Sequence, residues 1–274
     1  ATYHTAPVGI TALAVALLTK VGVYALTRFF TIIYPLQGTF LQTIMLVFAA
    51  LTMAIGVLGA AAQVDFRKIL SFHIISQIGY MVMGIAIFTP LAIAGSIFFV
   101  IHNVLVKTNL FFIAGGVYRI SGSYKLKELG GIIKQAPWLA MLFAISAFSL
   151  TGVPPLSGFW GKYLLARSGF EEGSILVIIV TAISLMVSLL TLFSMTKIWN
   201  EVFWKPNPAG EKPKLSLNNL LKMQPGVMFS IIAITILVLI ISFAPQNLIN
   251  WCYDSILVLT ERDRYIESVI GLYN

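Results

Sequence analysis

Stretches of about 20 mostly apolar residues recur along the whole chain and are separated by short polar links. A helix of that length spans the hydrocarbon core of a bilayer, which is roughly 30 Å thick. The stretches cover residues 9–30, 40–62, 69–88, 91–117, 137–165, 175–195 and 226–243. Charged residues make up only 10% of the 274 residues, whereas a soluble domain carries about 25%. The pattern therefore predicts an all-α, polytopic membrane helix bundle of about seven transmembrane helices.

The fifth apolar stretch is interrupted by the segment TGVPPLSG, which contains Gly152, Pro154, Pro155 and Gly158. The prolines remove backbone donors and the glycines loosen the helix. Inside a bilayer, broken backbone is tolerated only where it is buried in protein or lines a cavity, and transporters place ion sites at such breaks. The segment therefore predicts one discontinuous helix beside an ion pathway, and a plain proline kink is the alternative.

Basic residues are distributed unevenly over the predicted loops. One side of the seven-span arrangement carries eleven of them: Arg67, Lys68, Arg119, Lys125, Lys127, Lys134, Lys197, Lys205, Lys212, Lys214 and Lys222. The other side carries four: Arg28, Arg167, Arg262 and Arg264. Because cytoplasmic loops are enriched in Lys and Arg, we expect the richer side and the N-terminal end to be cytoplasmic, and the C-terminus to be external. We expect no nucleic-acid partner, because no basic run with interleaved aromatic residues occurs outside the loops.

The predicted loops and the tail thus contain fifteen of the 18 basic residues. The other three lie inside predicted spans: Lys20, Lys107 and Lys162. A lysine at the bilayer centre costs about 2.5–3.5 kcal/mol on insertion scales, so three of them indicate a function. Burial disfavours the ammonium form and a nearby anion favours it, which makes the charge switchable. Snorkelling to the headgroups is the alternative, and Lys20 argues against it because about ten apolar residues flank it on each side.

Two histidines accompany these lysines, His73 early in the third stretch and His102 in the fourth. A histidine titrates near neutral pH and can pass a proton between its two nitrogens, although a hydrogen-bonded packing role is the alternative. Asn103 shares the helix face of Lys107 better than His102 does, because it precedes the lysine by four residues. The predicted proton pathway consists of Lys20, His73, His102, Lys107 and Lys162.

Negative charge is missing from the predicted spans, since all ten acidic residues fall in loops or in the tail. Hard cations prefer oxygen ligands, so the spans offer no charged sodium site, and the lysine–histidine set suits protons better. The catalytic signatures HExxH, GxSxG and the P-loop are absent, and we expect neither a cofactor nor a bound metal. The single cysteine, Cys252, excludes an internal disulfide.

Four segments resemble the antiporter-like membrane subunits, the family of the proton-pumping membrane subunits of respiratory complex I and the large subunits of Mrp-type cation/proton antiporters. They are LLTKVGVYALTRF around Lys20, DFRKILSFHIISQIGYM around His73, IHNVLVKTNLFFIAGGV around Lys107 and LTGVPPLSGFWGKYLL around Lys162. Four motifs in the family's order make the resemblance specific, and it extends over nearly the whole chain. The wording of the first two segments, with YIESVIG near the end, is most similar to the D subunits of Mrp antiporters.

The resemblance implies a fold of about fourteen spans, in two inverted five-helix repeats plus flanking helices, of which this chain would be the C-terminal half. Lys20, Lys107 and Lys162 would match the lysines of the eighth, eleventh and broken twelfth spans, and His73 would lie in the tenth. A glutamate of the fifth span and a lysine of the seventh would lie upstream. Relatives often carry a histidine where this chain has Asn103, so the relay at that step is expected to differ.

The function implied by the resemblance is proton translocation in a multisubunit Na+/H+ antiporter of the cytoplasmic membrane. Its partners would be the other antiporter subunits, the lipid bilayer, protons and Na+. Residues 1–247 would form the transmembrane antiporter-like domain and residues 248–274 an interfacial tail. The main alternative is a proton-pumping membrane subunit of a respiratory NADH–quinone oxidoreductase. The others are a non-conducting membrane scaffold, whose lysines only bind neighbouring subunits, and a membrane-embedded enzyme.

Overall fold

The computed structural model describes residues 8–208, 210 and 225–260, and this part of the chain is helical almost throughout. In chain order the main helices are α1 (Gly9–Ile33), α2 (Phe40–Ala62), α3 (Phe66–Ile87), α4 (Pro90–Ser121), α5 (Pro137–Thr151), α6 (Ser157–Glu172), α7 (Ile175–Trp204), α8 (Pro225–Phe243) and α9 (Pro245–Thr260). Six of them, α1–α4, α7 and α8, are long and apolar enough to cross a bilayer. The predicted all-α membrane bundle is confirmed.

The predicted fifth crossing is made by two shorter helices in place of one straight span. Helix α5 ends at Thr151 and α6 begins at Ser157. Gly152, Pro154 and Pro155 lie in the connection between the two helices. Together with the six long helices, the α5–α6 pair gives seven crossings in the described part of the chain.

Helices α3 and α4 form the centre of the bundle. Of their most apolar 18-residue segments, 72% and 61% of the residues are buried, against 28–33% for the other four long helices. Those outer helices expose large apolar side chains such as Ile55, Ile175 and Phe193. An exposed apolar face is stable in lipid but not in water, so the outer helices face the bilayer and polar groups on α3 and α4 are enclosed.

The helix starts coincide with the short polar links of the sequence. The side chains of Thr39, Asp65 and Thr89 each accept a hydrogen bond from the backbone N–H three residues further on. Such N-caps satisfy donors that the first helical turn leaves unpaired. Pro90 follows Thr89 at the start of α4, a position where the N–H that proline lacks would have no helical partner.

The helix ends extend beyond the apolar stretches, and six basic residues assigned to loops lie in the main helices. Helices α4, α6 and α7 end at Ser121, Glu172 and Trp204, whereas hydropathy placed these ends at 117, 165 and 195. Hydropathy marks how deep a residue lies, whereas helical hydrogen bonding continues into the interface. The loop assignment is therefore wrong for these six residues: Arg28, Arg67, Lys68, Arg119, Arg167 and Lys197.

The predicted boundary between residues 247 and 248 falls inside α9. Cys252 and Ile256 of this helix pack against Ile93 and Ala94 of α4 in a buried apolar cluster. An interfacial tail over residues 248–274 therefore stays a prediction, and its described part is helical up to Thr260. The remaining tail with YIESVIG lies outside the described residues, as do these basic residues: Lys212, Lys214, Lys222, Arg262 and Arg264.

Candidate functional site

All five residues of the predicted proton pathway are buried, although they come from four different helices. His73, His102 and Lys107 are at most 1% exposed, and Lys20 and Lys162 are 7% and 8% exposed. The charges of Lys107 and Lys162 act on both histidines, and the charges of Lys20 and Lys162 act on Lys107. The fold thus brings the five side chains into one electrostatic neighbourhood.

Lys20 lies just after a widened turn of α1. Residues Ala14–Leu18 form a π-helical turn, in which backbone carbonyls shift from the regular i→i+4 ladder. The Val15 carbonyl accepts a hydrogen bond of 2.6 Å from Lys20 Nζ and one of 3.2 Å from Thr19 Oγ1. A neutral backbone group of the same helix therefore holds this ammonium inside the bundle.

His73 connects α3 to α7 through Ser194. Its Nε2 lies 2.6 Å from Ser194 Oγ, and Ser194 Oγ donates its own hydrogen to the Thr191 carbonyl at 3.0 Å. Because a hydroxyl has only one hydrogen, Ser194 accepts from Nε2–H, which leaves Nδ1 as the proton-accepting nitrogen. Nδ1 has no hydrogen-bond partner among the described residues, so its lone pair is unoccupied there.

The surroundings of Lys107 are polar but incompletely hydrogen-bonded. Within the described residues, Lys107 Nζ and Asn103 Oδ1 have no hydrogen-bond partner, and neither has the side-chain amide of Gln77. Gln77 follows His73 by one helical turn, and Asn103 precedes Lys107 by one, so each pair shares a face. Buried polar groups with open hydrogen-bonding capacity are the usual partners of internal water molecules.

Lys162 lies at the break between α5 and α6. Its Nζ donates a hydrogen bond of 2.9 Å to the carbonyl of Thr151, the last residue of α5. The C-terminal end of a helix carries partial negative charge, so the broken helix presents a neutral but electron-rich group to the ammonium. Gly152 directly follows α5 with φ +89, and a Cβ there would meet the Lys162 stem at 2.9 Å.

The start of α6 contacts His102 directly. His102 Nδ1 and Ser149 Oγ each lie 2.9 Å from Ser157 Oγ. Gly158 packs so tightly here that an added Cβ would overlap the Ser149 carbonyl oxygen and lie 2.9 Å from His102 Nε2. The break thus joins the C-terminal end of α5, the N-terminal end of α6 and His102 in one polar contact.

A second line of hydroxyl groups extends from this contact between α4, α5 and α8. The backbone N–H of Ser157 donates to Ser242 Oγ at 2.8 Å. Farther along α4, Asn109 Nδ2 donates to Ser146 Oγ and Thr235 Oγ1, both at 2.8 Å. Sequence analysis missed these groups, because single serines and threonines are common in membrane helices and only the assembled bundle shows which of them meet.

Buried negative charge is absent from the part of the chain that the structure describes. No aspartate or glutamate is buried there, and no group of three potential metal ligands occurs. Exposed ion pairs lie one helical turn apart at the surface, such as Arg167 with Glu171. The buried lysines Lys20 and Lys162 bond backbone carbonyls, and neither forms an ion pair with a described residue.

A lipid-facing helix bundle with a broken helix and a buried line of ionisable groups is typical of membrane proteins that move ions. The family model described as "NADH:quinone oxidoreductase/Mrp antiporter, TM" matches residues 1–195. The chain therefore belongs to the NADH:quinone oxidoreductase/Mrp antiporter transmembrane family. This confirms the resemblance that the four sequence segments indicate.

Two bacterial relatives are, by their names, D subunits of Na(+)/H(+) antiporters. The protein from Alkalihalophilus pseudofirmus is 44% identical over 269 residues, which cover 98% of this chain and 52% of the relative. The protein from Bacillus subtilis is 36% identical over 268 residues, with the same coverage of 98% and 52%. The chain thus spans about half the length of these relatives.

Solved structures share the fold over nearly the whole chain. A chain of the Mrp complex from Dietzia sp. superposes with a TM-score of 0.86 at 29% identity, covering 98% of this chain and 56% of that one. A chain of respiratory complex I from Thermus thermophilus superposes with a TM-score of 0.77 at 24% identity, covering 93% and 52%. The complex I likeness shows a common fold.

Proposed function

We propose that this chain translocates protons as part of a multisubunit Mrp-type Na+/H+ antiporter in the cytoplasmic membrane. The observation that carries the proposal is the environment of Lys162, whose ammonium bonds the Thr151 carbonyl at a helix break. A lysine held by a neutral carbonyl can lose and regain its proton without leaving a buried carboxylate unpaired, which would be costly. Such a group suits transient storage of a proton.

The other pathway residues support passage of protons to and from this point. Lys107 connects Lys20 to Lys162, because the charges of both lysines act on it. A proton on one lysine repels a proton on the next, so loading one site favours release from its neighbour. Nδ1 of His73 and Nε2 of His102 have no partner among the described residues, which leaves one nitrogen of each ring able to exchange protons.

The comparisons favour an antiporter over the alternative of a respiratory NADH–quinone oxidoreductase subunit. Both named relatives above 35% identity are antiporter subunits, whereas the complex I chain shares 24% identity and shows the fold alone. An antiporter subunit is part of a transporter, so the same comparisons favour a transporter subunit over an enzyme that acts by itself. The other subunits of the antiporter would be the partners.

Sodium would bind outside the part of the chain that the structure describes. The described helices bury no carboxylate, and a hard monovalent cation prefers oxygen ligands with negative charge. We therefore assign proton conduction to this bundle, and sodium transport to the antiporter as a whole. The sodium assignment rests on the names of relatives that are about twice as long as this chain.

The test uses the full antiporter complex in everted membrane vesicles, with sodium-driven proton flux as the readout. Lys162→Ala and Lys162→Arg should both abolish or nearly abolish flux at matched expression, because arginine keeps its proton at any accessible pH. Lys127→Ala and Lys127→Arg, at an exposed loop position, are the matched controls and should keep flux. Near-normal flux in Lys162→Arg would support a fixed charge, as in the scaffold alternative, and overturn the relay.

A further inference from the structure

The ammonium of Lys162 has a second neighbour besides the Thr151 carbonyl. Its Nζ lies 4.9 Å from the centroid of the Tyr80 ring. Tyr80 is 1% exposed, so the contact is shielded from solvent. The face of an aromatic ring carries partial negative charge and attracts a cation within about 6 Å, most strongly where both groups are desolvated.

The Tyr80 ring is held in place by two neighbouring helices. Its hydroxyl donates to the Ser184 carbonyl and lies 2.8 Å from Ser188 Oγ, both on α7. Its ring packs against Phe99 of α4 with centroids 5.4 Å apart. The hydroxyl therefore fixes the orientation in which the ring face meets the ammonium, and the ring does not depend on Lys162 for its position.

Within the described residues, the other ionisable groups near Lys162 offer it no negative charge. They are His73 on α3 and His102 and Lys107 on α4, which are neutral or cationic, and the charge of Lys162 acts on all three. Helices α5 and α8 carry no ionisable residue, and those of α7, Lys197 and Glu201, lie near its far end. Among the described residues, Tyr80 and the Thr151 carbonyl are thus the electron-rich groups at this ammonium.

We propose that Tyr80 is a positioning residue that stabilises the protonated form of Lys162 through its aromatic face. This inference rests on the proposed proton-conducting function and adds to it the group that replaces a carboxylate counter-ion. Because Phe99 also stacks on His102, with centroids 5.6 Å apart, the ring of Tyr80 connects the lysine at the helix break to the neighbouring histidine. The proposal predicts that the electron density of the ring, more than its bulk, matters for proton transfer.

The experiment is a substitution series at Tyr80 in the full antiporter complex, measured as the pH profile of sodium-driven proton flux in everted vesicles. Tyr80→Phe loses the hydroxyl bonds to α7 but keeps the aromatic face, which still packs against Phe99, and should stay near the wild-type profile. Tyr80→Leu removes the attraction for the ammonium and should move the alkaline limb of the profile by about one pH unit towards lower pH. Phe143→Leu removes a buried aromatic ring elsewhere in the core and should leave the pH profile unchanged.

A fluorinated phenylalanine at position 80 separates ring electrons from packing. Trifluorophenylalanine, introduced by stop-codon suppression, has nearly the shape of phenylalanine but a depleted ring face, and its profile should shift as in Tyr80→Leu. If it matches Tyr80→Phe instead, the inference is overturned, even where Tyr80→Leu fails to assemble. Lys162→Ala is measured in the same vesicles: retained flux there overturns the proposed function, whereas lost flux with an unresponsive Tyr80 series overturns this inference alone.

Discussion

Lys162 on α6 donates a hydrogen bond of 2.9 Å to the carbonyl oxygen of Thr151 at the end of α5, across the break between the two half-helices. The break exposes this carbonyl, which an uninterrupted helix would pair with a backbone N–H four residues on. Irregular backbone inside a membrane is therefore used as a ligand for a buried charge. The lysine and the helix break act as one unit.

Gly158 is the position at which this unit tolerates least change. An added Cβ would overlap the Ser149 carbonyl oxygen and lie 2.9 Å from His102 Nε2, so α6 must move away from α5 and from the histidine. Gly158→Ala should cost about 1–3 kcal/mol of stability, the usual range for overpacking, and should reduce sodium-driven proton flux at least tenfold. Thermal unfolding of the purified complex and vesicle flux measure the two effects.

Gly22→Ala is the matched control for that substitution. Gly22 is helical, and an added Cβ there would have no atom within 4 Å among the described residues. An alanine at a helical position favours the helix by up to about 1 kcal/mol over glycine, so stability should be unchanged or slightly raised and flux should be normal. Equal losses in both variants would show that the tight contact at Gly158 is not the cause.

The sequence predicted the bundle well because burial in lipid leaves a strong one-dimensional signal. Apolar stretches located the crossings, and lysines inside them identified buried charges, since each is too costly to retain without a use. The broken helix was predicted for a similar reason, because two adjacent prolines cannot continue a regular helix. Each of these inferences needs only local sequence and the thickness of a bilayer.

The partners of the buried groups could not be predicted from sequence. Ser194 contacts His73 from 121 residues away, and Ser184 fixes Tyr80 from 104 residues away. One serine in an apolar helix resembles another until the packing of α3 against α7 decides which of them meet. Helix ends were also misplaced, because Lys197 continues α7 beyond the apolar stretch and was assigned to a loop.

Lys197 of α7 binds the C-terminal end of α2, which the predicted topology places on the cytoplasmic side. Its Nζ donates to the carbonyls of Ala61 and Gln63 at 2.9 and 2.8 Å, which lie at the C-terminal end of α2. Lys197→Met should lower the free energy of unfolding by about 2 kcal/mol, because hydrogen bonds from a charged donor are lost. Thermal unfolding of the complex should show it, with the exposed Lys68→Met as a control that removes the same charge without effect.

The membrane orientation is a separate prediction. Basic residues of the described part are still distributed unevenly between the two sides of the membrane. Three lysines of the richer side and two arginines of the other side lie outside the described residues. Among the described residues, the richer side therefore has eight of its eleven basic residues and the other side two of its four. In a Cys252→Ala background, which removes the buried native thiol, Lys127→Cys should react with an impermeant maleimide only from the cytoplasmic side. Ser174→Cys, exposed after α6, should react only from outside. Labelling of both from one side would contradict the α5–α6 crossing.

Ser194 offers a test of the role of His73 that leaves every ionisable group in place. Ser194 Oγ accepts the Nε2–H of His73 and so keeps Nδ1 as the proton acceptor. Ser194→Ala should lower flux about fivefold to tenfold, in line with one lost hydrogen bond of about 1 kcal/mol, whereas Ser194→Thr keeps the hydroxyl and should restore most of the flux. Ser168 bonds the carbonyl of Leu165 in its own helix, so Ser168→Ala should behave like wild type. If Ser194→Ala matched Ser168→Ala, His73 would be a packing residue and its place in the pathway would be lost.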